Sequence, residues 1–93
     1  MIVAETIRLK LEAAFSPIHL RVEDESRLHA GHSGAREGGE SHFRVSIVSS
    51  VFQGLTRVER QRRVHAVLAE ELKHRVHALS LTVATPDEAS RRM

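Results

Sequence analysis

The chain contains no cysteine, no tryptophan and no tyrosine, and only three of its 93 residues are phenylalanine. Without a thiol it has no disulfide framework, and no thiolate of its own to serve as nucleophile or metal ligand. Any soft metal centre it holds must therefore use histidine or borrow sulfur from a partner. The missing tryptophan and tyrosine remove the usual stacking platforms for single-stranded bases. No apolar run approaches the roughly 20 residues a membrane-spanning helix needs. Charge of one sign is scarce as well: 14 Lys and Arg against 12 Asp and Glu leave a net charge of +2, a weak field for nucleic acid. Catalytic signatures are absent too. There is no Ser-His-Asp order, no phosphate loop after a strand and no His-x-x-x-His helix for a hydrolytic zinc, so an enzyme reading has nothing to stand on.

What the chain does have is histidine, seven in all, and clear periodicity. Its length suits a single domain over residues 1–93, because two cores would each be too small to stand alone. Val3, Ile7, Leu11, Ala14 and Phe15 recur on one helix face, and Ser16-Pro17 ends that helix. Ile18, Leu20 and Val22 alternate with His19, Arg21 and Glu23 as a half-buried strand. Residues 24–39 hold four of the five glycines, which predicts a long loop. A loop that long is uncommon unless it is functional or a linker. Phe43, Val45 and Ile47 alternate with His42, Arg44 and Ser46 as a second strand. Thr56-Arg57-Val58-Glu59 has the capping-box pattern, and the spacing of Val64, Leu68 and Leu72 predicts one helix from there to about His74. Leu79, Leu81 and Val83 mark a third strand. Thr85-Pro86-Asp87-Glu88 resembles another helix start, although residues 84–93 are expected as a flexible tail.

The predicted class is α+β with the order α-β-β-α-β. The first two strands pair antiparallel, and a right-handed crossover through the second helix returns the third strand parallel to the second, giving a three-stranded mixed sheet. Both helices cover the face bearing Ile18, Leu20, Val22, Phe43, Val45, Ile47, Leu79, Leu81 and Val83. The other face carries His19, Arg21, His42, Arg44, Ser46, Ser80 and Thr82.

Several residues invite a chemical reading, each beside a plainer one. His29 and His32 are close enough in the glycine-bearing loop for either to turn toward a metal, yet loop histidines are also ordinary solvated groups. His77 shares strand parity with Leu79 but sits at the strand's start, where its ring can reach the sheet rim instead of packing in the core. His74 in a last helical turn suits the helix dipole, and His19, His42 and His65 are read as solvated. Arg57, Arg60, Arg62 and Arg63 crowd the start of the second helix, where a bound anion would compensate them, as would surface pairs with Glu59. Gly31-His32-Ser33-Gly34 spells GxxG but falls between strands, not helices, so it is read as coincidence.

Asp24-Glu25-Ser26, the His29 loop, Gly39-Glu40-Ser41-His42-Phe43, Ile47-Val48-Ser49, Phe52-x-Gly54, Ala69-Glu70-Glu71-Leu72 and Val76-His77-Ala78-Leu79 together resemble the BolA-like family, from about Ile7 to Glu88. The resemblance implies a fold similar to type II KH. It also implies association with a monothiol, CGFS-type glutaredoxin and a shared 2Fe-2S cluster ligated by glutathione, acting in iron–sulfur cluster assembly, trafficking or iron regulation. On that basis His77 matches the family's carboxy-terminal histidine ligand and His29 the loop ligand, with His32 as a substitute. Imidazole in place of sulfur should raise the cluster's potential, as in Rieske centres. Arg60-Gln61-Arg62 stands where the family commonly has Arg-His-Arg, leaving the arginines for an anion such as a glutathione carboxylate. Some BolA-like proteins are described as transcriptional regulators, so the alternative is DNA binding through Arg57 to Arg63, Arg21, Arg44 and the KH-like fold. The expected setting is cytoplasmic, without a membrane, and a weak homodimer is left open.

Overall fold

The computed structural model describes residues 3–25, 42–74 and 76–91. Helix α1 (Val3–Phe15) buries Val3, Ile7, Leu11 and Phe15, the stripe its spacing predicts, while Ala14 is exposed. Ser16 terminates it in a left-handed conformation (φ 44°), its N–H still reaching Glu12 O at 3.1 Å. Strand β1 (His19–Asp24) pairs antiparallel with β2 (His42–Val48), and β2 pairs parallel with β3 (Ala78–Ala84), in the order β1-β2-β3. The expected mixed sheet and α-β-β-α-β order are thus present. Phe43, Val45 and Ile47 are buried against the helices, and Leu20, Val22, Leu79, Leu81 and Val83 pack around them. Ile18 departs from its predicted place. It lies just ahead of β1 at the sheet rim, where the chain reverses out of α1, and is 72% exposed.

After β2, Ser49 joins the elements: its hydroxyl donates to Phe15 O at 2.6 Å and accepts from Val51 N–H. A single 3₁₀ turn (Ser50–Phe52) then drops Phe52 into the core, 5.0 Å centroid to centroid from Phe15. Gly54, at φ 79°, occupies the left-handed region that favours glycine. Helix α2 (Arg57–Val67) begins at the predicted capping box, but the single helix expected to His74 is interrupted. At Leu68 the backbone leaves helical geometry (φ −99°, ψ 19°), and α3 (Ala69–His74) continues beyond it. The break buries Leu68, and it also buries Glu71, whose carboxylate meets Lys10 Nζ of α1 at 2.8 Å. In the stretch expected as a tail, Pro86–Arg91 form helix α4. Thr85 caps it, its hydroxyl accepting from Glu88 N–H while the Glu88 carboxylate accepts from Thr85 N–H.

Candidate functional site

The parallel register of β2 and β3 places Ala78 opposite His42, so His77, immediately before β3, arrives beside the first residue of β2. The segment is anchored from behind: Val76 is buried and its N–H donates to Glu71 O at 2.8 Å. His77 itself is exposed at the rim, and its ring centre lies 6.2 Å from that of half-buried His42, the planes inclined at 41°. Two imidazoles on one tetrahedral metal, each with a metal–nitrogen bond of about 2.0–2.1 Å, have ring centres roughly 5 Å apart. The observed pair is wider than that by about 1 Å, so the two rings are neighbours and not a preformed ligand pair. Strand alternation alone puts His42 on the solvated outer face. The signal that it meets His77 lay in the predicted parallel crossover, which puts the starts of the second and third strands side by side.

The other histidines are dispersed. His19 opens β1 opposite Val48, at the far end of the sheet, and is exposed. His65 is exposed on α2, and His74 in the last turn of α3 lies 3.6 Å from the Glu70 carboxylate. His29, His32 and the GxxG stretch lie outside the described residues. Among the described residues no group of three His, Asp or Glu side chains could hold a metal.

The arginine cluster divides. The amino terminus of α2 is answered internally: Thr56 Oγ1 accepts from Glu59 N–H at 3.1 Å, and the Glu59 carboxylate accepts from Thr56 N–H at 3.2 Å. Those hydrogen bonds, with Arg63 and Arg62 nearby, hold the Glu59 carboxyl below its usual range. Arg60 is largely buried. It donates to both Glu88 carboxylate oxygens (2.6 and 3.0 Å), to Leu55 O and to Val83 O. Arg60 and the Thr85 N–H together lower the Glu88 carboxyl to about 2. Arg57, Arg62 and Arg63 remain exposed. On the outer sheet face Arg21 meets Glu23 at 3.4 Å and Arg44 meets Glu25 at 2.9 Å.

The histidines and arginines do not converge. Arg60 contacts Val83 near the end of β3, whereas His77 precedes its start, and the five strand steps from Ala78 to Val83 span about 17 Å. A glutathione whose sulfur reached a centre at His77 would not place its carboxylates on Arg60.

No helix among the described residues is long and apolar enough to cross a membrane. The family model for BolA-like protein matches residues 11–88. Human BolA-like protein 1 is 50% identical over 84 residues, covering 90% of this chain and 58% of that protein's own length. The DNA-binding transcriptional regulator BolA of Haemophilus influenzae is 42% identical over 88 residues, covering 95% of this chain and 82% of that one. Among solved structures, Arabidopsis thaliana BolA1 superposes with a TM-score of 0.86 at 43% identity, covering 95% of this chain and 96% of that one. The motifs from Asp24 to Leu79, the mixed sheet with His77 at its rim and these matches lead to one assignment: the chain belongs to the BolA-like protein family.

Proposed function

We propose that this chain is the histidine-bearing partner of a monothiol, CGFS-type glutaredoxin, with which it shares a glutathione-ligated 2Fe-2S cluster in iron–sulfur cluster assembly, trafficking or iron regulation. The observation that carries this reading is the exposed His77 ring at the sheet rim, beside His42. The donor chemistry fits, because imidazole replaces cysteine on one iron of Rieske clusters. With no cysteine in the chain, every thiolate must come from the glutaredoxin and glutathione. His77 supplies the principal ligand in this reading, and the second comes from the loop, His29 with His32 as its substitute. Proteins of this family are non-enzymatic, in keeping with a role in holding and passing on a cluster. The partnership places the chain in a reducing compartment, most simply the cytoplasm.

The test mixes the purified chain with cluster-loaded glutaredoxin and records visible absorption and circular dichroism. The spectrum should change on mixing, and His77→Ala should abolish the change. An identical spectral change with the variant would rule out ligation by His77. His29→Ala should cost more of the signal than His32→Ala.

DNA binding is the second reading, favoured by the name of the Haemophilus relative. Here it would rest on exposed Arg57, Arg62 and Arg63, since Arg60 is held by Glu88 and Arg21 and Arg44 face acidic partners. Promoter-fragment affinity measured across salt concentrations should then fall when Arg62 and Arg63 are both changed to Ala, with a shallower salt slope. Unaltered affinity would exclude the patch.

A further inference from the structure

The sheet order leaves β3 as an edge strand. Ser49 N–H donates to Ala84 O at 3.0 Å, so the backbone of Ala84 faces β2. Because a strand's peptide groups alternate sides, the N–H and C=O groups of Leu79, Leu81 and Val83 face away from the sheet. Arg60 confirms that direction by donating to Val83 O from outside. Leu81 has no such partner among the described residues, and it lines a cavity of about 640 Å³ between the start of α2, the β3 edge and α4. Three arginines, Arg57, Arg60 and Arg91, also line this cavity, against the single acid Glu88. Arg60 takes both Glu88 oxygens. Arg57 and Arg91 are exposed and make no ion pair with a described residue.

We propose that the β3 edge binds the carboxyl-terminal segment of an extended peptide as a fourth strand, parallel to β3, with the peptide's terminal carboxylate between Arg57 and Arg91. The cavity offers two kinds of complementarity at once. Its outward backbone needs a partner that both donates and accepts at strand spacing, which a peptide provides and an inorganic anion does not. Arg57 and Arg91, neither of them in an ion pair with a described residue, suit a carboxylate. Arg60, seated on Val83 O, blocks continuation of the added strand, so the strand ends there and a free terminus is the natural carboxylate. The site lies at the opposite end of β3 from His77 and stands independently of the cluster reading.

The test selects binders to the purified chain from random octapeptides displayed with free carboxyl termini, then synthesises the best. Amide chemical shifts should move at Leu79, Leu81 and Val83. Amidating the peptide's terminus should weaken binding roughly tenfold or more, as should Arg57→Gln combined with Arg91→Gln. N-methylating alternate peptide nitrogens should abolish binding by removing the ladder donors, a control that leaves the protein untouched. His77→Ala should leave the affinity unchanged. Failure to enrich any peptide, equal affinity for the amidated form, shifts centred elsewhere, or displacement of the peptide by a random octadeoxynucleotide pool at lower concentration would each overturn the proposal.

Discussion

Arg60 is the residue whose structural role differs most from its appearance in the sequence. Among four arginines in seven residues it reads as part of a basic patch, yet its guanidinium ties α2 to the end of β3 and to α4. Nothing local could show this, because Glu88 lies 28 residues away. The tie has a pH signature. The Glu88 carboxyl titrates at about 2 in the fold against 4.5 normally, its causes being Arg60 first and the Thr85 N–H second. A depressed carboxylate contributes stability that is present above about pH 4.5 and is lost as the pH falls toward 2. Glu88→Gln should therefore lower the thermal midpoint near neutrality, and the gap to the parent should close between pH 4.5 and 2. Thermal melts of both proteins across that range check this; a constant gap would mean that packing, not charge, is what Glu88 supplies. His77 was partly legible: its place at a strand start allowed a rim position beside the commoner packed one, and the structure leaves it exposed. Alternation gives the face on which His42 lies, whereas its neighbour follows from the register that pairs it with Ala78.

At the scale of elements, the two capping boxes were readable because their chemistry is local: Thr56 with Glu59 and Thr85 with Glu88 each satisfy one another within a single turn. The strands were readable by alternation, except at Ile18, where the helical cover ends before the apolar pattern does. The division of the second helix was not readable. Leu-Ala-Glu-Glu-Leu over 68–72 consists of strong helix formers, and local propensity argues for continuity. What interrupts it is tertiary: turning at Leu68 buries that side chain to 1% exposure and brings Glu71 to Lys10. Leu68→Ala should accordingly cost about 2–5 kcal/mol, the range for a large buried side chain removed from a core. Leu9→Ala, at a residue 44% exposed on α1, should stay within about 0.5 kcal/mol. Denaturant titrations of the two variants would show the contrast. Equal shifts in the midpoint would mean that the Leu68 junction relaxes without leaving a cavity.

Taken whole, the molecule places its two candidate surfaces at opposite ends of one strand. β3 begins beside the His42–His77 rim and ends beneath Arg60, about 17 Å further on. That separation follows from the topology, since the parallel crossover brings the start of β3 to the start of β2, while Thr85 turns the chain into α4 at the other end. The sequence predicted the crossover but not this consequence, and so allowed one glutathione to span both groups. Sites this far apart with no shared partners act additively. A chain carrying His77→Ala together with Arg57→Gln and Arg91→Gln should thus lose the glutaredoxin-dependent spectral change to the same extent as His77→Ala alone. It should lose peptide affinity to the same extent as the double arginine variant alone. Measuring both signals on all three proteins tests the separation directly. If the arginine substitutions by themselves weakened the spectral change, the two ends of β3 would be coupled, and a partner would have to contact both at once.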